Sequence, residues 1–142
     1  VSQVRFHLAF PVADLQQTKA FYVESLRCTP GRESSSALIL NFYGHQLVAQ
    51  VTQDPLEPPN SIYPRHFGLV FDQEADWEAV LERSRQQGLT FYQEPKSRFP
   101  GTQLEHRTFF LEDPSHNLLE FKFYTHPSAI FDDRQYAQIG EH

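Results

Sequence analysis

A chain of 142 residues has room for one compact domain of ordinary size. Twelve Lys and Arg against eighteen Asp and Glu leave a net charge of −6 with no basic block, which argues against a partner held through its phosphate backbone. Apolar runs such as 37–40 and 67–71 are too short for a membrane span, and the start of the sequence lacks the charged-then-apolar pattern of a signal peptide. The single cysteine, Cys28, leaves no internal disulfide and no cysteine-based zinc site. The expectation is a soluble cytoplasmic domain, its core supplied by thirteen Phe, six Tyr and one Trp.

In chain order, residues 5–12 read as a strand, with Asp14 as the cap of a following helix. Leu15, Thr18, Tyr22 and Leu26 then recur at helical spacing. Strands are predicted at 28–33, 37–42 and 46–51, with Tyr43-Gly44-His45 as the hairpin between the last two. Four of the ten prolines crowd into residues 53–64, a stiff connector.

The same signals then repeat. Residues 65–71 read as a strand and Asp72 as a cap, and Trp77, Val80, Leu81 and Ser84 mark a helix that Gly88 stops. Strands are predicted at 89–94, 104–111 and 117–124, with Glu112-Asp113-Pro114-Ser115-His116 as the matching turn. Each half is strand–helix–strand–strand–strand, and a unit this short must pair with the other to close a core. The organisation is a single domain: module one at 1–52, linker 53–64, module two at 65–124 and a polar tail at 125–142.

No GxGxxG, P-loop, GxSxG or HExxH is present, so histidine placement is the main chemical signal. His7 precedes Asp14 by seven residues and His66 precedes Asp72 by six, each in the first strand of its half. In the last strand Leu119, Phe121 and Phe123 form an apolar row for the core, which turns Leu118, Glu120 and Lys122 the other way. A carboxylate among Leu118, Leu119 and Phe121 is costly to bury without a cation or a hydrogen-bond donor. Two imidazoles and one carboxylate on a sheet face make a 2-His-1-carboxylate site with open coordination positions. Taken singly, His7 also suits a half-buried strand position, and Glu120 suits a pair with Lys122 or an arginine.

The segments Phe6-His7-Leu8-Ala9-Phe10-Pro11-Val12, Ala20-Phe21-Tyr22, Gly44-His45-Gln46-Leu47-Val48, His66-Phe67-Gly68-Leu69 and Asp113-Pro114-Ser115-His116-Asn117-Leu118-Leu119-Glu120-Phe121 resemble the vicinal-oxygen-chelate superfamily. That superfamily includes glyoxalase I, the bleomycin- and fosfomycin-resistance proteins and the extradiol dioxygenases. The chain is most similar to small bacterial proteins described as extradiol-type dioxygenases. The resemblance implies an α+β fold of two tandem βαβββ modules forming a curved mixed sheet around a metal pocket. It implies a divalent metal held by His7, His66 and Glu120, with Fe(II) favoured and Mn, Ni or Zn as alternatives. It also implies a small-molecule substrate that chelates the metal through adjacent oxygens, and a homodimer, with two arrangements open for the metal: His7 reaching the other chain's His66 and Glu120, or both halves of one chain sharing a single ion.

Departures from the family pattern sharpen the expectations. The second glutamate that glyoxalase I commonly carries is missing, and Gln50 stands in that strand as a weak ligand, a hydrogen bonder or an ordinary strand residue. Phe110 occupies the place of the extradiol tyrosine, and His116 that of a glycine. His106, four residues before Phe110, shares its face and is the candidate proton shuttle, the alternative being an exposed strand residue. Arg98 is placed in a loop, solvated or steering an anionic substrate. The rival readings are a glyoxalase-type isomerase or resistance-type transferase, and a metal-free small-molecule binding module.

Overall fold

The computed structural model describes residues 3–140, so the outermost residues of module one and of the tail lie outside the described residues. Strand β1 (His7–Val12) sends Phe10 and Val12 into the core, and Asp14 then caps the helix α1 (Leu15–Lys19), its Oδ1 accepting from Gln17 N at 2.8 Å. The helix continues as a π-helix, Ala20–Ser25, in which Leu26 N donates to Phe21 O at 3.0 Å. Strands β2 (Thr29–Glu33), β3 (Ala37–Phe42) and β4 (His45–Val51) follow. Tyr43 and Gly44 take φ of 54° and 89°, the left-handed pair that a tight hairpin between right-twisted strands requires.

After the connector, β5 (Phe67–Phe71), α2 (Glu74–Gln86), β6 (Phe91–Arg98), β7 (His106–Glu112) and β8 (Leu118–Tyr124) repeat the plan. Each module is its own four-stranded mixed sheet, ordered β1-β4-β3-β2 and β5-β8-β7-β6. The first strand of each lies parallel to the last, and the other pairings are antiparallel. The result is an α+β fold of two tandem βαβββ modules.

The modules share one core. Phe10, Tyr22, Leu40 and Leu47 from the first pack in the same cluster as Trp77, Val80, Phe109 and Phe121 from the second. Hydrogen bonds lock the two together: Tyr22 Oη donates to Asp113 Oδ2 at 2.7 Å, Ala13 N to Ser115 Oγ at 2.9 Å, and Asn117 Nδ2 to Pro11 O at 2.8 Å. Trp77 Nε1 donates to Phe121 O at 2.8 Å, which fixes α2 on its sheet.

Three sequence expectations are corrected. Asp72 is not the cap of α2, because the helix starts two residues later with Gln73 at the cap position, which makes no side-chain capping bond. The first turn is favoured instead by Glu74 and Asp76 against the helix dipole. The sixth strand runs past Pro95 to Arg98, since it is an edge strand whose register shifts between Gln93 and Lys96. Arg98 therefore ends a strand, and it is only 2% exposed where a solvated loop residue was expected.

Candidate metal centre

The outward face of the second sheet is set by strand alternation. Leu119 and Phe121 go to the core, which leaves Leu118 and Glu120 on the other side beside Phe110 and Thr108. His66 stands one residue before β5, next to the strand that carries Glu120, and its Nε2 lies 3.0 Å from Glu120 Oε1. The backbones of β5 and β8 approach closely here, since a Cβ on Gly68 would stand 1.7 Å from Glu120 O.

The outer atoms of the pair are also held. His66 Nδ1 donates to Ile62 O at 2.7 Å, which leaves Nε2 as the ligating nitrogen in the neutral ring. Thr108 Oγ1 donates to Glu120 Oε2 at 2.6 Å. Phe110 lies edge-on to the imidazole, with ring centroids 4.9 Å apart, and packs with Ile62 and Leu118 as an apolar wall. His66 opens onto a groove of about 630 Å³ between the connector and β1, which gives small molecules a way in.

The electrostatics couple the two residues. The hydrogen bond with Glu120 raises the His66 pKa against the opposing effect of burial. Burial alone would raise Glu120, but the His66 bond, the Lys122 charge and the Thr108 bond outweigh it and hold the carboxyl below its usual range. A negative carboxylate facing an imidazole nitrogen is the donor chemistry that a divalent cation requires. Two ligands held about 2.0–2.2 Å from one ion at right angles stand about 3 Å apart, the separation seen here. His66 and Glu120 thus fit two adjacent corners of a metal's coordination sphere.

His7 is not brought to them. It lies exposed at the start of β1, with Nδ1 2.7 Å from Gln46 Oε1, and among the described residues no group of three or more His, Cys, Asp or Glu is placed to hold an ion. Gln50 is directed elsewhere, donating to Ser36 O at 3.1 Å. His106 shares the face of Phe110 but pairs with Tyr124, four residue pairs along the ladder from Phe110–Glu120. It is buried, and Nδ1 donates to Leu104 O at 3.0 Å. Thr108 and Ile62 escaped sequence reading; only Thr108 had a signal, its place two residues before Phe110 on the same strand.

The Glyoxalase/Bleomycin resistance protein/Dioxygenase superfamily pattern matches residues 5–121. A solved glyoxalase/bleomycin resistance protein/dioxygenase from Alicyclobacillus acidocaldarius is 40% identical, with 91% of this chain and 97% of that one covered and a TM-score of 0.86. A mutant fosfomycin resistance protein, FosX, from Listeria monocytogenes, complexed with Mn(II) and 1S,2S-dihydroxypropylphosphonic acid, is 19% identical over 96% and 99% of the chains, with a TM-score of 0.69. Lactoylglutathione lyase from Agrobacterium tumefaciens is 17% identical over 86% and 94%, with a TM-score of 0.65. Those last two likenesses concern the fold alone. Among curated proteins none matches.

Proposed function

The chain belongs to the glyoxalase/bleomycin resistance protein/dioxygenase superfamily, and from that premise we propose that it is a metal-dependent enzyme acting on a small molecule with two adjacent oxygens. The observation that carries this reading is the 3.0 Å approach of His66 Nε2 to Glu120 Oε1, with both outer atoms held by Ile62 O and Thr108 Oγ1. The bond to Ile62 O fixes the His66 ring and raises its basicity, and the bond from Thr108 fixes the orientation of the carboxylate.

The third ligand in this reading is His7 of a second copy. Among the described residues, His7, Ala9, Asn41 and Gln50 on the outward face of the first sheet are exposed, whereas Thr108, Phe110, Leu118 and Glu120 on the second sheet are buried. A two-fold dimer would bring His7 on the bare face of one protomer to the groove that opens onto its partner's His66.

When bound, a divalent ion supplies Lewis-acid chelation of the two substrate oxygens, and ferrous ion supplies the redox chemistry of a dioxygenase. The chain's own residues do the rest. His66 and Glu120 hold the ion and orient the substrate oxygens. Thr108 keeps Glu120 from rotating, and Phe110 with Ile62 and Leu118 excludes water from one side of the site. An extradiol-type dioxygenase is the leading form of the proposal, with Fe(II) as its metal.

One observation favours a second reading, a glyoxalase-type isomerase or resistance-type transferase using Mn, Ni or Zn. Phe110 presents a ring edge to His66 and offers no hydroxyl to a reacting oxygen. The test is anaerobic loading with Fe(II) or Mn(II), then oxygen uptake with catechols. We expect a single ion per chain, lost in His66→Ala and Glu120→Ala, with slow uptake in the iron form that Phe110→Tyr accelerates. Tight metal binding without oxygen uptake selects the isomerase or transferase. Undiminished metal binding in both alanine variants overturns the proposal.

A further inference from the structure

One cation on the outward face of the second sheet has no counter-charge. Lys122 follows Glu120 by two residues on β8, so the pleat puts both side chains on one face, about 6.6 Å apart along the strand. Its ammonium lies over the Tyr124 ring, 5.0 Å from the centroid, and among the described residues it forms no ion pair. Glu120 does not serve as its partner: the two carboxylate oxygens are held by His66 and Thr108. Lys96 on β6 pairs with Thr108 and adds a second lysine to the same row, exposed and likewise without an ion pair among the described residues.

This part of the face is open to a ligand. On β5, Gly68 pairs with Glu120 and Val70 with Lys122. Gly68 is exposed and brings no side chain, and Val70 is 44% exposed. Lys122 itself is partly exposed, and the His66 side chain keeps 23% of its surface. The strip from His66 past Glu120 to Lys122 is therefore reached from solvent on the β5 side.

The charges call for an anion. The Lys122 charge is felt at both Glu120 and His66, acting to lower the pKa of each. With a divalent ion on that pair, the carboxylate is committed to the metal, and an ammonium one strand step away repels the ion. An anionic group beside the ammonium offsets that repulsion and supplies the acceptor that Lys122 lacks. We propose that Lys122 selects the substrate, an organic carboxylate whose acid group stands about one benzene ring beyond its two adjacent oxygens. This rests on the metal-dependent reading of the His66–Glu120 pair. The substrate ring lies over Gly68 and Val70, and the carboxylate accepts from Lys122 Nζ, which the face of Tyr124 holds in place.

The probes are 3,4-dihydroxybenzoate and 3,4-dihydroxybenzamide, which share the ring and the diol and differ in charge. Titration calorimetry on the Mn(II)-loaded protein, without oxygen, should show the benzoate binding about 10–100-fold more tightly, the worth of one charge-assisted hydrogen bond. Lys122→Gln should bring the two affinities together, and Lys122→Arg should keep the preference. Mn(II) alone should bind Lys122→Gln at least as tightly as the parent, since a repelling charge is gone. Weaker Mn(II) binding in Lys122→Gln would make the lysine a mere support for Glu120 and overturn the proposal. Equal affinities in the parent, or an undiminished preference in Lys122→Gln, overturns it while leaving the metal reading in place. Failure of the parent to bind Mn(II) overturns both.

Discussion

Single side chains set the chemistry of the second sheet. Thr108 is the residue with the most specific consequence, because its hydroxyl is held to the Glu120 oxygen that faces away from His66. Thr108→Val keeps the shape and removes the donor, so metal affinity should fall about 10–100-fold by calorimetric titration. Far-ultraviolet circular dichroism should stay unchanged. His106 gives a pH signature. Burial, partly offset by the Leu104 bond, lowers its pKa from the ordinary 6.5. The unfolded chain therefore takes up a proton near pH 6.5 that the folded chain still refuses. The neutral ring costs nothing above that value, and stability is lost as the pH falls from about 6.5 through the lower folded pKa. The difference in denaturation midpoint between the parent and His106→Phe should therefore change between pH 7.5 and 5, with the parent losing more. Cys28 is buried and its thiol is pushed up to about 12, so iodoacetamide at pH 8 should label it only after unfolding.

At the scale of elements, the contact of β5 with β8 is the most demanding. Gly68 pairs with Glu120, and any Cβ there would run into the β8 backbone rather than into a movable side chain. Gly68→Ala should cost at least about 1–3 kcal/mol in chemical denaturation and displace Glu120, lowering metal content with stability. Capping is a milder test: Asp14→Ala removes the bond to Gln17 N and should cost about 1 kcal/mol. These elements also show what the sequence makes legible. The alternation of Leu119, Phe121 and Phe123 against Leu118, Glu120 and Lys122 gives the correct faces, because period two is a direct consequence of the pleat. Asp14, Gly88 and the Tyr43-Gly44 turn are local and were readable. The π-helix was not, although Thr18, Tyr22 and Leu26 already step by four, because no local rule separates that spacing from an ordinary α-helix. Pro95 hid the length of β6, since an edge strand tolerates a proline that a central strand would not. Arg98 was misplaced for the same reason: a residue beyond a proline reads as loop until the shifted register carries it back into the sheet.

Over the whole molecule, the contrast between the two sheet faces is the main fact. Connector residue Ile62 packs on Phe110 and Leu118, and the tail closes over His106 and Tyr124, so the second sheet is covered by its own chain. On the first sheet His7, Ala9, Asn41 and Gln50 are exposed, and Phe6 beside His7 is 60% exposed. Repeat-matched spacing sets His7 beside His66, and the two do occupy matching positions in the two modules, yet the fold puts them on separate sheets. Spacing along a chain says nothing about which copy completes a site. Sedimentation should therefore give twice the 16.5 kDa chain mass, and a monomer that binds metal as tightly would remove the second copy from the account.

The most direct measurement is metal content in mixed variants. In a two-fold dimer each site takes His7 from one chain and His66 with Glu120 from its partner. His7→Ala and Glu120→Ala, each expressed alone, should then lose tight Mn(II) binding. When the two are coexpressed in equal amounts, half the dimers are mixed and each mixed dimer keeps one intact site, so binding should return to about a quarter of the parent's. No recovery of metal in the coexpressed protein, with both variants folded and dimeric, would contradict a site shared between chains.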